Sequence, residues 1–261
     1  MCYDNGFGVE RDEDRACRLY QESAAGDYAP ALCNLGVCYE SGQGVEKNLE
    51  KAVELYRRAA EGGYPMGRCN LGVMYFFGQG VEKDLKKAAY CFAQAAEQDD
   101  MRAVEALGRC YQLGEGVEQD EGRAVELFRR AAEHGSSRGQ RLLARCLEQG
   151  LGLPQDQKAA LEWLRTSALQ GDASSQAELA RHYEFGVGTE ISPKQAVQWY
   201  RRAAQAGDAD GQCCLGWLME HGKWADRDPE GAVELYRQAA EAGSERGLLL
   251  LAGCLLYTSP S

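Results

Sequence analysis

The chain has 261 residues, with 40 acidic against 29 basic side chains and a formal charge of −11. That balance excludes a duplex or polyanion binder, which needs a concentrated cationic surface, so no nucleic acid is expected as a partner. No run of 18 apolar residues is present to span a bilayer, and no charged-then-apolar leader is visible.

Taken in chain order, the elements repeat every 36 residues. A glycine returns at Gly6, Gly42, Gly78, Gly114, Gly150, Gly186 and Gly222. A second glycine follows two residues later at Gly8, Gly44, Gly80, Gly116, Gly152 and Gly188, and gives way only at Trp224. Ala52 and Leu35 mark two further phases that hold throughout. Each unit reads as two helices. In the first, Ala31, Leu35, Cys38 and Tyr39 form one apolar stripe, and Gly42 supplies the left-handed stop. Asn48 is the N-cap of the second helix, a place taken elsewhere by Asp12, Asp84, Asp120, Asp156, Ser192 and Asp228. The second helix shows Ala52, Val53, Leu55, Tyr56, Ala59 and Ala60 on one face and closes at Gly62 and Gly63. Small residues at the Ala31 and Gly36 phases let helices approach closely. One such pair cannot bury its apolar face alone, so stacking must complete the core.

The stretch GQGVEKN at 42–48, repeated as GQGVEKD at 78–84, has the look of a phosphate loop. It is read instead as the hinge between the two helices, because the capping Asn or Asp already occupies the helix end an anion would use.

The combination L-G-x-x-Y-x-x-G-x-G-V, a capping Asp, then a Y-x-x-A-A helix resembles the Sel1-like repeat, and the likeness runs over essentially the whole chain in about seven units. The resemblance implies an all-α fold, a tetratricopeptide-related right-handed α/α superhelix (solenoid) whose first helices line the concave side. It also implies an adaptor that assembles protein complexes, often in bacterial signalling or host interaction. On this reading residues 1–253 are a single array truncated at both ends. Residues 254–261, CLLYTSPS, match the in-frame translation of a sequencing adapter and are set aside as an artefact in a bacterial metagenomic fragment.

Of the eleven cysteines, the ten outside that tail are read as small hydrophobes of the core. A metal site is not expected: equivalent positions in successive units are taken to be separated by a whole intervening helix, roughly 8–10 Å for each packing step. Secreted relatives clip the two helices of a unit with a Cys in place of the second alanine of A-A. Here that phase is Ala24, Ala60, Ala96, Ala132, Ala168, Ala204 and Ala240, so the clip is absent and a reducing, cytoplasmic setting is favoured. His182 sits on the Cys38 phase and reads as a core residue, and Asp99 and Asp100 read as solvated turn carboxylates.

No P-loop, H-E-x-x-H, G-x-S-x-G or S-x-x-K string occurs, so neither a cofactor nor catalysis is expected. The alternatives to a binding scaffold are a β-lactam hydrolase of the kind linked to the cysteine-rich relatives, and a purely structural spacer. In a repeat array, function lies where the units differ. One phase of the first helix reads Val37, Val73, Arg109, Arg145, Arg181 and Trp217. The three arginines form a candidate row for a protein or peptide partner, an acidic one included, because a guanidinium holds a carboxylate through two parallel bonds. Asn34 and Asn70 are candidates to bond an extended partner backbone, and Phe76 and Trp217 to supply aromatic contact. Against the row stands a simpler reading, in which Arg145–Glu148 and Arg181–Glu184 are solvated i,i+3 pairs.

Overall fold

The computed structural model describes residues 12–258, with side chains described through residue 254. The phases at Cys2, Tyr3, Gly6 and Gly8, and the end of the adapter-like tail, lie outside the described residues. Among the described residues there are fourteen helices and no strand. The chain divides between Leu127 and Phe128 into two compact units.

The first unit holds α1 (Glu13–Ala24), α2 (Ala29–Ser41), α3 (Leu49–Glu61), α4 (Pro65–Phe77), α5 (Leu85–Ala96), α6 (Met101–Leu113) and the start of α7 (Glu121–Glu133). The second holds the rest of α7, then α8 (Ser137–Gln149), α9 (Gln157–Leu169), α10 (Ala173–Phe185), α11 (Pro193–Gln205), α12 (Ala209–His221), α13 (Pro229–Glu241) and α14 (Glu245–Thr258). Within each unit first and second helices alternate along the chain, each packed on its neighbours.

The caps explain the boundaries. The side chains of Asp12, Asn48, Asp84, Asp120, Asp156 and Asp228 accept a backbone N–H from the first turn of the helix that follows. Ser192 stands in the same place without a side-chain cap bond, ahead of Pro193. The first helices have caps of their own that the sequence reading missed: Asp100, Ser136, Asp172 and Asp208 each accept the N–H three residues on. Asp100 is thus not a solvated turn carboxylate; its side chain is 10% exposed and caps α6. The first helices stop at Gly42, Gly78, Gly114, Gly150, Gly186 and Gly222, all left-handed.

The hinge is closed by the backbone. Asn48 N–H donates to the Tyr39 carbonyl at 2.8 Å, and Asp84, Asp120, Asp156, Ser192 and Asp228 repeat the bond. An anion therefore meets no free donor from the N-cap residue, as the hinge reading expects.

The core sits between first and second helices. Tyr56, Tyr200, Tyr236 and Phe128 are fully buried, with Ala52, Ala59, Ala88, Ala95, Ala196 and Ala203 closing the gaps. The small phase at Gly36 has a steric cause: a Cβ there would lie 2.5 Å from the Tyr56 ring, and at Gly72 2.6 Å from Phe92. One expectation about spacing is corrected. Successive first helices are not held a helix apart: α2 touches α4, and the Asn70 amide donates to Cys33 Sγ at 3.6 Å. No cluster of metal-ligating side chains occurs among the described residues, and no helix there is long and apolar enough to cross a membrane.

Candidate functional site

First helices present the side chains that vary between repeats, and in the second unit these meet around one polar cavity of about 190 Å³. Its wall includes Arg141, Glu178, Arg181, Asp210, Cys214 and Arg246, drawn from α8, α10, α12 and α14. Four helices whose equivalent positions are 36 residues apart thus build one site.

Two acids at this site, Asp172 and Asp208, are committed as helix caps. Arg141 Nε lies 3.3 Å from Asp172 Oδ1, and its Nη1 lies 3.6 Å from Glu178 Oε1, all three side chains being mostly buried. Asp172 also caps α10, accepting from Ser175 N and Ser175 Oγ. Asp208 caps α12 and accepts from Ser174 Oγ at 3.1 Å. Burial pushes the Glu178 carboxyl above its ordinary range, and the charges of Arg141, Arg145 and Arg181 oppose that rise. Tyr200, also on the wall, donates to Glu184 at 2.7 Å; burial and that carboxylate push the phenol up.

The candidate residues can now be placed. Arg145 and Arg181 are exposed and make no hydrogen bond or ion pair among the described residues, and both act on Glu178. The i,i+3 pairs do not form: Glu184 takes the Tyr200 hydroxyl, and Glu148 lies 3.8 Å from His182 Nε2. Arg109 is exposed in the first unit. Trp217 is half-buried and stacks on His221 with centroids 4.4 Å apart; it does not line the cavity. Asn70 spends its amide on Cys33, and Asn34 is half-buried beside that core. His182 is buried, its Nδ1 2.9 Å from the Val187 carbonyl, as a core histidine should be.

Phe76 has a structural explanation that the sequence reading missed. Tyr56, Tyr200 and Tyr236 each donate to a glutamate sixteen residues earlier, Glu40, Glu184 and Glu220. In the α4–α5 repeat the second-helix ring is Phe92, and Phe76 stands where the glutamate would be. With no hydroxyl there is no need for an acceptor, and an apolar residue fits. Phe76→Glu and Phe92→Tyr should each destabilise singly, while the double variant recovers about 1–2 kcal/mol of coupling. Urea unfolding of the four proteins measures it; additive losses would show that the pair does not form.

Burial disfavours the thiolate form of the core cysteines. Burial pushes Cys33 and Cys110 up to about 11 and Cys69 up to about 12. Cys214, on the cavity wall, is raised by burial as well, and Arg246 opposes that rise.

The sequence does carry a signal for the cavity, outside the arginine row. Over α2 to α12, Arg141 is the one cation in a phase that otherwise reads Cys33, Cys69, Glu105, Ala177 and Cys213, and Glu178 the one acid in a phase that otherwise reads Asn34, Asn70, Ala106, Leu142 and Cys214.

A repeat of this design is found in known proteins. The chain is 32% identical to a protective antigen of uropathogenic Escherichia coli strains displaying an SLR fold, with a TM-score of 0.69. The match covers 99% of this chain but only 56% of that one. A Sel1 repeat protein from Oxalobacter formigenes is 28% identical over 87% of this chain and 97% of its own, with a TM-score of 0.78. An immunity protein from Pseudomonas aeruginosa shares the fold at 19% identity, covering 84% of this chain and 83% of its own, with a TM-score of 0.60. No curated protein gives a significant sequence match. The Sel1 repeat profile fits seven times in succession, at 1–28, 29–64, 65–100, 102–136, 137–172, 173–208 and 209–244. Repeats of this class generally mediate protein–protein interaction and are generally non-catalytic. With capped helix pairs, phased glycines and seven matched units in register, the chain belongs to the Sel1 repeat family.

Proposed function

We propose that this protein is a non-catalytic scaffold that docks a partner protein or peptide on the first-helix face of its second unit. One observation carries the reading: Arg181, on the wall of the polar cavity, and Arg145, one repeat earlier in the same phase, are both exposed without an ion pair among the described residues. Exposed surface arginines ordinarily find carboxylates on their own helix, and here the available glutamates have been taken by Tyr200 and His182. What is left is donor capacity facing outward, of a kind enriched at binding hot spots.

The site offers little to a hydrolase. The Ser174 hydroxyl is spent on Asp208, no lysine lines the cavity, and burial raises the Cys214 thiol.

Quantitative affinity capture tests the proposal. Replacing Arg145 and Arg181 by Glu should deplete the specific partners at least tenfold while the fold is retained, because both side chains are exposed. Arg109→Glu, in the other unit, is the parallel variant. An unchanged set of partners with all three replaced would remove the arginines from the site.

A further inference from the structure

We infer that the cavity of the second unit takes the carboxylate side chain of an acidic partner segment, held by the guanidinium groups of Arg181 and Arg246. This rests on the reading of that face as a docking surface and adds the chemistry of its occupant.

The occupant follows from the hydrogen-bonding capacity that the cavity wall leaves unused. Three arginines and three acids line the cavity: Arg141, Arg181 and Arg246 against Glu178, Asp208 and Asp210. Formal charge therefore decides nothing, and hydrogen-bond capacity must. Arg141 is ion-paired with Asp172 and Glu178, although its buried Nε completes no hydrogen bond. Asp208 accepts from Gly211 N and Ser174 Oγ. Asp210 lies in the first turn of α12, where the helix end favours a negative charge. Among the described residues Arg181 has no hydrogen bond or ion pair. Arg246 has one, from Nη1 to Cys214 Sγ at 3.4 Å, and a thiol sulfur is a weak acceptor.

Each guanidinium carries five N–H donors in a planar fork. Arg141 Nε, Arg181 and most of Arg246 make no hydrogen bond among the described residues, so unfilled donors outnumber the acceptors that Glu178 and Asp210 still offer. The matching occupant is an acceptor with two oxygens in one plane, a carboxylate. Tyr200 adds no donor, because its hydroxyl is given to Glu184. Size agrees. About 190 Å³ is the share of roughly six waters at about 30 Å³ each. That suits one acidic side chain and falls below the roughly 300–1,000 Å³ of pockets that enclose a whole small ligand.

The test uses the full chain and an N-acetylated, C-amidated, fluorescent peptide with three consecutive glutamates, read by anisotropy near 0.15 M salt. Its glutamine and lysine counterparts, and free glutarate as competitor, are run beside it. The glutamate peptide should bind and the other two peptides should not. Arg181→Gln and Arg246→Gln should each weaken binding by roughly ten- to a hundredfold, the size of a lost charge-assisted bond. Circular dichroism of each variant checks that the fold is kept.

Equal binding of the glutamine or lysine peptide, no binding of any, or unchanged affinity in both variants would overturn the inference. Competition by glutarate as strong as by the peptide would overturn the peptide occupant, making this a site for a small free dicarboxylate. If the Arg145 and Arg181 variants lose their captured partners but the glutamate peptide does not bind, the docking face stands and the carboxylate specificity falls.

Discussion

Gly116→Ala should cost about 2–4 kcal/mol of folding stability, well above the roughly 1 kcal/mol centre of point substitutions. Two penalties combine there. Gly116 has φ +77, where a side chain meets its own backbone. A Cβ built on it would also lie 2.0 Å from the carbonyl oxygen of Leu85 and 2.4 Å from its carbonyl carbon. These are backbone atoms at the start of α5, in the preceding repeat, so no side chain can swing aside to relieve the contact.

Gly135 separates the two terms. It has φ +83, but a methyl group added there would meet nothing within 4 Å, so Gly135→Ala should lose only the conformational part, about 1 kcal/mol. Trp224 makes the same point within the native chain: it holds the Gly116 phase at φ +62 with a full side chain. The left-handed backbone alone is therefore tolerated, and the approach of the neighbouring helix adds the rest. Urea midpoints of the two variants decide the matter; equal losses would mean that the turn simply moves away from Leu85.

Arg141→Leu is the second large expectation, a loss of about 2–4 kcal/mol at neutral pH. Removing one member of a buried ion pair strands its partners, and here the partners are Asp172 and Glu178. Asp172 keeps its hydrogen bonds to Ser175, so most of the penalty falls on Glu178. Arg141 is 19% exposed and Glu178 21%, which places the cost somewhat below that of a fully buried pair.

The pH dependence follows from the direction of the Glu178 shift. Its folded carboxyl is raised, by burial first, despite three nearby arginines. A carboxyl raised in the fold favours folding while protonated. That contribution is fully present below the unfolded value of about 4.3 and is lost as pH rises through the folded value. Loss of Arg141 raises Glu178 further, so the damage should be largest near pH 7 and smallest near pH 4. Glu178→Gln alone should stabilise the protein at pH 7, with the gain fading toward pH 4, and should rescue part of the Arg141→Leu loss. Unfolding curves at the two pH values test this. A loss independent of pH would show that Arg141 acts by packing its stem, as long cationic side chains also can.

Where each helix starts and stops could be read from Asn48, Gly42 and their equivalents, because a cap acts within one turn of its own residue. The apolar faces were equally legible, since Ala52, Tyr56 and Ala59 fall on one side of a helix whatever surrounds it. The arginine phase was visible too, as three departures from a repeating pattern. What those side chains do was not. Whether Arg181 is paired with Glu184 depends on Tyr200, sixteen residues further on and on another helix. That Phe76 stands opposite Phe92 rather than a tyrosine, and that Asp100 caps a helix, is visible only in the packed structure. Arg141, Glu178, Cys214 and Arg246 are 32 to 37 residues from one to the next, and only packing first helix against first helix brings them to one cavity.

By itself the sequence determined the repeat, its two helices, their caps and their buried faces, all of which follow from forces acting over a few residues. The tertiary structure alone decided which polar groups are already satisfied and which are left without a partner among the described residues. A hydrogen bond is a claim on two partners, and the second partner is a full repeat away or on another helix.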